Sequence, residues 1–179
     1  SFMRILTIHA DYLKVLPKTK AIKDAEDVEK KELEIKECLI VFTAVEKADE
    51  VNIKEAAQKL AQEALAIAEQ VKAKHIVLYP YAHLSNALSK PEPALTILKE
   101  AEALLKKKSK VTRIPFGWYK QFELRCKGHP LSELSREFTP STTEKKEKLQ
   151  EIIKEEDLRK LLHEISKTKL DTSQLKEND

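Results

Sequence analysis

Lys120 occupies the most suggestive chemical setting in the chain. It follows Gly117 by three residues and stands among Phe116, Trp118, Tyr119 and Phe122. A lysine beside a glycine turn and between aromatic rings is the strongest candidate for a polar group acting on a ligand, because glycine lets a ligand approach the backbone closely. A second set of reactive types lies just downstream in Cys126-Lys127-Gly128-His129. Its cysteine–histidine spacing is one seen in metal sites. A structural zinc site takes four ligands, however, and the chain offers five histidines and one further cysteine, Cys38, inside an apolar run. Cys126 as a nucleophile with His129 or His83 as its base lacks a third, orienting group. His83, in Tyr81-Ala82-His83-Leu84-Ser85, follows a strand end, where α/β sites often lie, although a lone loop histidine is more often structural. His9, at the end of the first predicted strand, has the same standing. No phosphate-binding glycine loop, serine-hydrolase elbow or HExxH occurs.

Gly117 and Gly128 are the only glycines, and between them Gln121 to Arg125 alternates polar with apolar. This predicts a half-buried strand held between two glycine turns, fixing a set of side chains at each end. A turn, a strand and a turn with no chemistry satisfies the same residues. Trp118, the single tryptophan, fits a packing role as well as a pocket role.

The elements that must carry this segment alternate in type. Met3 to His9 predicts a strand, and Cys38 to Val45 a strand buried on both faces. Between them Lys14 to Glu37 is charged and aperiodic, an extended excursion. Ile53 to Ala73 predicts a helix capped by Asn52, with Glu55 completing a capping box. Its inward face is Ala57, Leu60, Ala61, Ala64, Leu65 and Ala68. His75 to Tyr79 is a further buried strand, Pro91 to Lys108 a second helix facing inward through Ala94, Leu95, Leu98, Ala101 and Leu105, and Lys110 to Pro115 a strand. The fold class is therefore α/β, a β-sheet packed with two main helices. After Phe138 the composition changes. Thr139 to Thr143 breaks the chain, and Glu144 to Lys167 has helical spacing, giving residues 1–138 as the domain and 139–179 as a linker and helical tail.

A chain of 179 residues suits one ordinary domain with an appendage; 41% hydrophobic residues suffice for a core, and 35% charged residues give a heavily solvated surface. Net charge is +3, unevenly spread. From Lys106 to Arg136 there are nine basic residues against two acidic ones, among four aromatics. Such a stretch can bind a phosphate backbone and stack bases, or can simply be a lysine-rich surface. No apolar run is long enough for a transmembrane helix, no secretory signal is visible, and two cysteines make no disulfide framework, so a reducing cytoplasm is the expected location. Ser1-Phe2 ahead of Met3 reads as an appended remnant.

Five ordered motifs carry a resemblance. They are His9-Ala10-Asp11-Tyr12, Val45-Glu46-Lys47, Tyr79 to Ser85, Pro115 to Lys120, and Cys126 to Arg136. Together, over roughly Met3 to Phe138, they resemble the N-terminal editing domain of archaeal threonyl-tRNA synthetase. The resemblance implies a D-aminoacyl-tRNA deacylase-like fold and a homodimer. It also implies hydrolysis of L-serine wrongly esterified to threonine tRNA, assisted by the 2′-hydroxyl of the terminal adenosine. The deacylase branch carries a Gly-Pro motif, and no Gly-Pro occurs here. The implied catalytic set is Lys120, which would hold the seryl group or its water, with His83 and Glu133 completing the polar network. Tyr119, Cys126 and His129 would line the pocket, Pro80, Tyr81 and Ala82 would shape it, and the Ala44-Val45-Glu46 backbone would contact the adenosine. No cofactor or metal is implied. The implied partners are the acceptor end of tRNA(Thr) carrying serine and the rest of a synthetase, in cis or in trans. A D-aminoacyl-tRNA deacylase and a non-catalytic module binding the tRNA acceptor end are the competing functions.

Overall fold

The computed structural model describes residues 2–139 and 155–164. Two compact units are distinguished, Ser1–Phe138 and Thr139–Asp179. In the second, residues 155–164 form a helix; the remainder of the helix expected over Glu144 to Lys167 lies outside the described residues.

In the first unit, β1 (Arg4–Lys20) is the hub of a six-stranded sheet. Its neighbours are β2 (Leu33–Ala44) on one side and, on the other, both β5 (Trp118–Cys126) and β6 (Glu133–Glu137), all antiparallel to it. β6 takes the first part of β1, from Arg4 to Ile8, and β5 takes the rest, from Ala10 to Lys20. The sheet continues in parallel from β2 to β3 (His75–Pro80) and β4 (Lys110–Arg113). The crossovers are α1 (Ile53–Val71) and α2 (Pro91–Lys106), as parallel strands require.

β1 and β2 run well into the segment that the sequence predicts to be an irregular excursion. The physical reason is that the two-residue period persists beneath the charges. Leu13, Val15 and Ile35 are buried, while Tyr12, Lys14 and Leu16 between them are half-exposed. Against β2 the register is constant from Arg4 to Val15, although Glu37 takes the left-handed φ of +50°. Against β5 it shifts between Ala10 and Tyr12 and again between Pro17 and Thr19, as at a bulge. Such a bulge bends the strand and deepens its twist. β6 is a further strand that the sequence reading leaves unassigned; its short run Glu133–Glu137 has only one half-buried apolar residue, Leu134, so alternation there is faint.

The two middle strands are buried on both faces. Leu39, Val41, Ile76 and Leu78 point to the helices, and Ile40, Phe42, Val77 and Tyr79 to the opposite side. The helices pack through the predicted alanine-rich stripe, with two exchanges: Ile67 and Ile97 are buried where Leu65 and Leu95 were expected, and the latter are only partly covered. Asn52 caps α1 as predicted, its Oδ1 accepting from Glu55 N–H at 3.1 Å. The sheet thus presents the ends of β2 and β3, the start of α2 and the turn before β5 around one opening.

Candidate active site

That opening is a cavity of about 520 Å³, within the size range of small-molecule clefts. Its floor is the end of the parallel strands. Ala44 ends the buried run of β2 and Val45 follows it, and Pro80 closes β3. Tyr81 N–H donates to Thr43 O at 2.8 Å, which carries the chain across and starts a single tight turn, Ala82–Leu84. His83 sits on that turn, exposed, its ring edge-on to Tyr81 at 5.1 Å. Phe42, Tyr79, Tyr81 and Phe122 form a continuous aromatic cluster along this wall, with centroids 4.8–6.4 Å apart. Such spacing is that of edge-to-face and tilted ring pairs.

Lys120 enters from β5. Its Nζ donates to Pro115 O at 3.0 Å and Trp118 O at 3.1 Å, and lies 5.2 Å from the centre of the Tyr79 ring. An ammonium has three N–H donors. Two are directed at backbone carbonyls, which leaves one for a ligand. Burial pushes the Lys120 pKa down to about 8, against the opposing pull of the Glu26 carboxylate. Tyr119, the next residue, is largely exposed at the mouth.

Eight of the residues singled out from sequence therefore meet at one cavity: Lys120, His83, Ala44, Val45, Pro80, Tyr81, Ala82 and Tyr119. Four do not. Glu46 buries its carboxylate 3.3 Å from Arg4 Nε, and its N–H donates to Asp49 at 2.8 Å. Cys126, His129 and Glu133 belong to the far end of β5. Six residues along a strand separate Lys120 from Cys126, roughly 20 Å. There Cys126 Sγ is 3.6 Å from Glu133 Oε1. His129 Nδ1 accepts from Leu131 N–H at 3.2 Å, so Nε2 carries the proton and donates to His9 Nδ1 at 2.8 Å. His9 is thus drawn into this second cluster. Its pKa is lowered by burial first, then by Lys127 and His129. Lys127 is itself bound to Asp11 at 2.6 Å and Glu37 at 2.7 Å. Within one chain, the network of Lys120, His83 and Glu133 is split between two ends of a strand.

The sequence profile of the archaea-specific editing domain of threonyl-tRNA synthetase matches residues 3–138. The chain belongs to that family. Threonine–tRNA ligase of Methanopyrus kandleri is 49% identical over 146 residues, and that of Methanobrevibacter smithii 54% over 140. These alignments cover 81% and 76% of this chain but 23% of each relative, so the chain spans about a quarter of the length of the ligases it matches. Two solved structures share the fold. One is the c-Myc DNA unwinding element binding protein (TM-score 0.55, 11% identity) and the other a probable eukaryotic D-amino acid tRNA deacylase (TM-score 0.51, 10% identity). Each is covered to 99% by 77% of this chain. The editing domain therefore has the mixed α/β fold of the D-aminoacyl-tRNA deacylases.

Part of the editing domain's cavity escapes the motif reading. Ala21 and Ile22, from the chain between β1 and β2, form one rim. Leu88, Pro91 and Leu98, around the start of α2, form another. The one sequence sign of the first rim was Gly117. A Cβ there would stand 2.8 Å from Ile22 Cγ1 and 3.0 Å from the Ala25 backbone. Trp118 is buried, and its indole N–H donates to Glu26 O at 2.6 Å, so it serves packing and cavity together. Cys38 is fully buried, its thiol pushed up to about 12 by burial, which removes it from any reactive role. Among the described residues, no three histidine, cysteine, aspartate or glutamate side chains are grouped to hold a metal ion.

Proposed function

We propose that this editing domain is a hydrolase that releases L-serine from mischarged seryl-tRNA(Thr). The observation that carries this reading is the Lys120 ammonium, with one N–H left for a ligand, at the wall of a cleft that has space for an aminoacyl adenosine. A synthetic site that accepts threonine cannot firmly exclude serine, since one methyl-sized difference discriminates by only about 1–3 kcal/mol. A second site must admit the smaller side chain and hydrolyse its ester. Ester hydrolysis needs a placed water, donors for the developing oxyanion and help for the departing ribose oxygen. Lys120 supplies the donor. The edge-to-face aromatic wall of Tyr79, Tyr81 and Phe122 supplies a water-poor surface on which a base can rest. His83, exposed on its turn, completes the polar side. Among the described residues nothing near Lys120 forms a nucleophile–base pair, and in this reading the 2′-hydroxyl of the terminal adenosine takes that part of the work.

The partners in this reading are the acceptor end of tRNA(Thr) and the remainder of a threonyl-tRNA synthetase, and the domain works as a homodimer. Glu133, His129 and Cys126 reach a Lys120 centre only when a second copy delivers them.

The deciding experiment compares seryl-tRNA(Thr) ending in adenosine with the same RNA ending in 2′-deoxyadenosine, serine on the 3′ oxygen in both. Binding is expected to survive the change, since contacts to RNA backbone and stacked bases remain. Release of serine is expected to fall by orders of magnitude, as loss of a group used in the transition state lowers turnover rather than affinity. Equal rates on the two RNAs would remove substrate assistance. D-aminoacyl-tRNA as a third substrate separates serine editing from D-amino acid deacylation, and binding with no release on any RNA identifies a non-catalytic module.

A further inference from the structure

The segment between β1 and β2 carries a carboxylate that the proposed chemistry does not use. Glu26 is half-buried and accepts from three donors. Arg113 grips it through Nη1 and, at 3.0 Å, through Nη2; Phe116 N–H reaches Oε1 at 2.9 Å. Its backbone takes part too. Glu26 N–H donates to Phe116 O at 3.2 Å, and Glu26 O accepts the Trp118 indole N–H at 2.6 Å. Glu102 anchors the other side of Arg113 at 3.0 Å. Every one of these bonds ends on the chain from Arg113 to Trp118. That same turn provides Pro115 O and Trp118 O, the two carbonyls that hold Lys120 Nζ.

We infer that Glu26 is a positioning residue of the Lys120 centre: by clamping Arg113 and the Phe116 amide it fixes the turn whose carbonyls aim the ammonium into the cavity. The inference rests on Lys120 acting as proposed above. The need for a carboxylate here follows from donor counting. Three N–H groups converge on two oxygens, and a glutamine would present an N–H to at least one of them. The bidentate grip on Arg113 would be lost along with its charge assistance. The charge also acts on Lys120 directly. Facing that ammonium are the Tyr79 ring, the neighbouring Trp118, His83 on the same cavity and Glu26, and the Glu26 charge favours the protonated form against burial.

The test is Glu26→Gln, read in two ways. The first readout is the titration of Lys120 itself, followed by NMR of lysine labelled at Cε, with Lys120→Met to assign the signal. The midpoint is expected to move to lower pH, since removal of a neighbouring anion disfavours the ammonium. The second is seryl-tRNA(Thr) deacylation, where kcat is expected to fall about tenfold or more with KM within about twofold, as for a misplaced rather than missing group. Glu26→Asp keeps the charge and draws it back by one methylene; it is expected to restore the titration and part of kcat. A folded Glu26→Gln protein with the wild-type titration and kcat overturns the proposal. Should Glu26→Gln not fold, the aspartate variant decides, and wild-type behaviour in both readouts overturns it equally. If the unaltered protein leaves seryl-tRNA intact, the editing reading fails, while the Lys120 titration still reports on the clamp.

Discussion

Lys120 combines burial, a depressed pKa and a third N–H beyond the two that reach Pro115 O and Trp118 O among the described residues, which makes a pH signature predictable. Below about 8 the side chain is an ammonium; above it the amine has lost its charge and one N–H. If the cation stabilises the developing oxyanion, the enzymic rate over the uncatalysed one should decline as pH rises through about 8. Lys120→Met should lower deacylation by a factor of about 100 or more and abolish that limb, with RNA binding less affected. Near-normal turnover in the variant, or a limb that persists in it, would take lysine out of the mechanism. Lys120 was legible in the sequence because glycine and aromatic rings cluster around it. The charge count nearby was less informative. Of the basic residues from Lys106 to Arg136, Lys106, Arg113, Arg125, Lys127 and Arg136 are ion-paired to Glu102, Glu26, Asp11, Glu37 or Glu63. Most of those partners are far away in sequence, so a local excess of charge did not translate into an equally basic surface.

Among the elements, the strand between two glycine turns was correctly anticipated, and both glycines have positive φ, +84° at Gly117 and +80° at Gly128. Their surroundings differ in a way the sequence could not reveal. Gly128 has open space where a Cβ would go, whereas Gly117 is pressed against Ile22 and Ala25. Alanine at either site should cost about 1–3 kcal/mol in backbone strain. Gly117→Ala must in addition displace the Ala21–Glu26 segment, so its loss of stability in urea should exceed that of Gly128→Ala. Its cavity rim should shift as well, with slower deacylation, while Gly128→Ala leaves the cavity intact. Equal losses in the two variants would mean that the close approach has no energetic weight. The excursion from Lys14 to Glu37 hid this contact for a physical reason. Its few buried residues are Val15, Pro17, Ala25 and Ile35; the first two carry the alternation of β1 on only briefly, and the wide charged gaps between the others set no period within a short window.

At the scale of the molecule, the five motifs resolve into two clusters at opposite ends of β5, and this arrangement makes the proposed homodimer testable. β5 ends the sheet order, and Tyr119 and Phe122 on it are exposed aromatics, a type enriched at protein interfaces. Its free edge is also a surface that a second strand can pair with. A two-fold interface repeats every contact, so if one copy brings its Glu133 to the other's Lys120, two equivalent composite sites form. Sedimentation should then give twice the 20.5 kDa chain mass. Lys120→Met and Glu133→Gln chains, each impaired alone, should recover activity when unfolded together and refolded. In a mixed dimer both lesions fall in one site and the other site is intact. Random pairing of equal amounts makes half the dimers mixed, so recovery should approach about a quarter of the wild-type rate. Recovery no greater than the average of the two variants would confine catalysis to a single chain. The cluster of Cys126, His129 and Glu133 would then act on the local structure around His9 rather than on the ester.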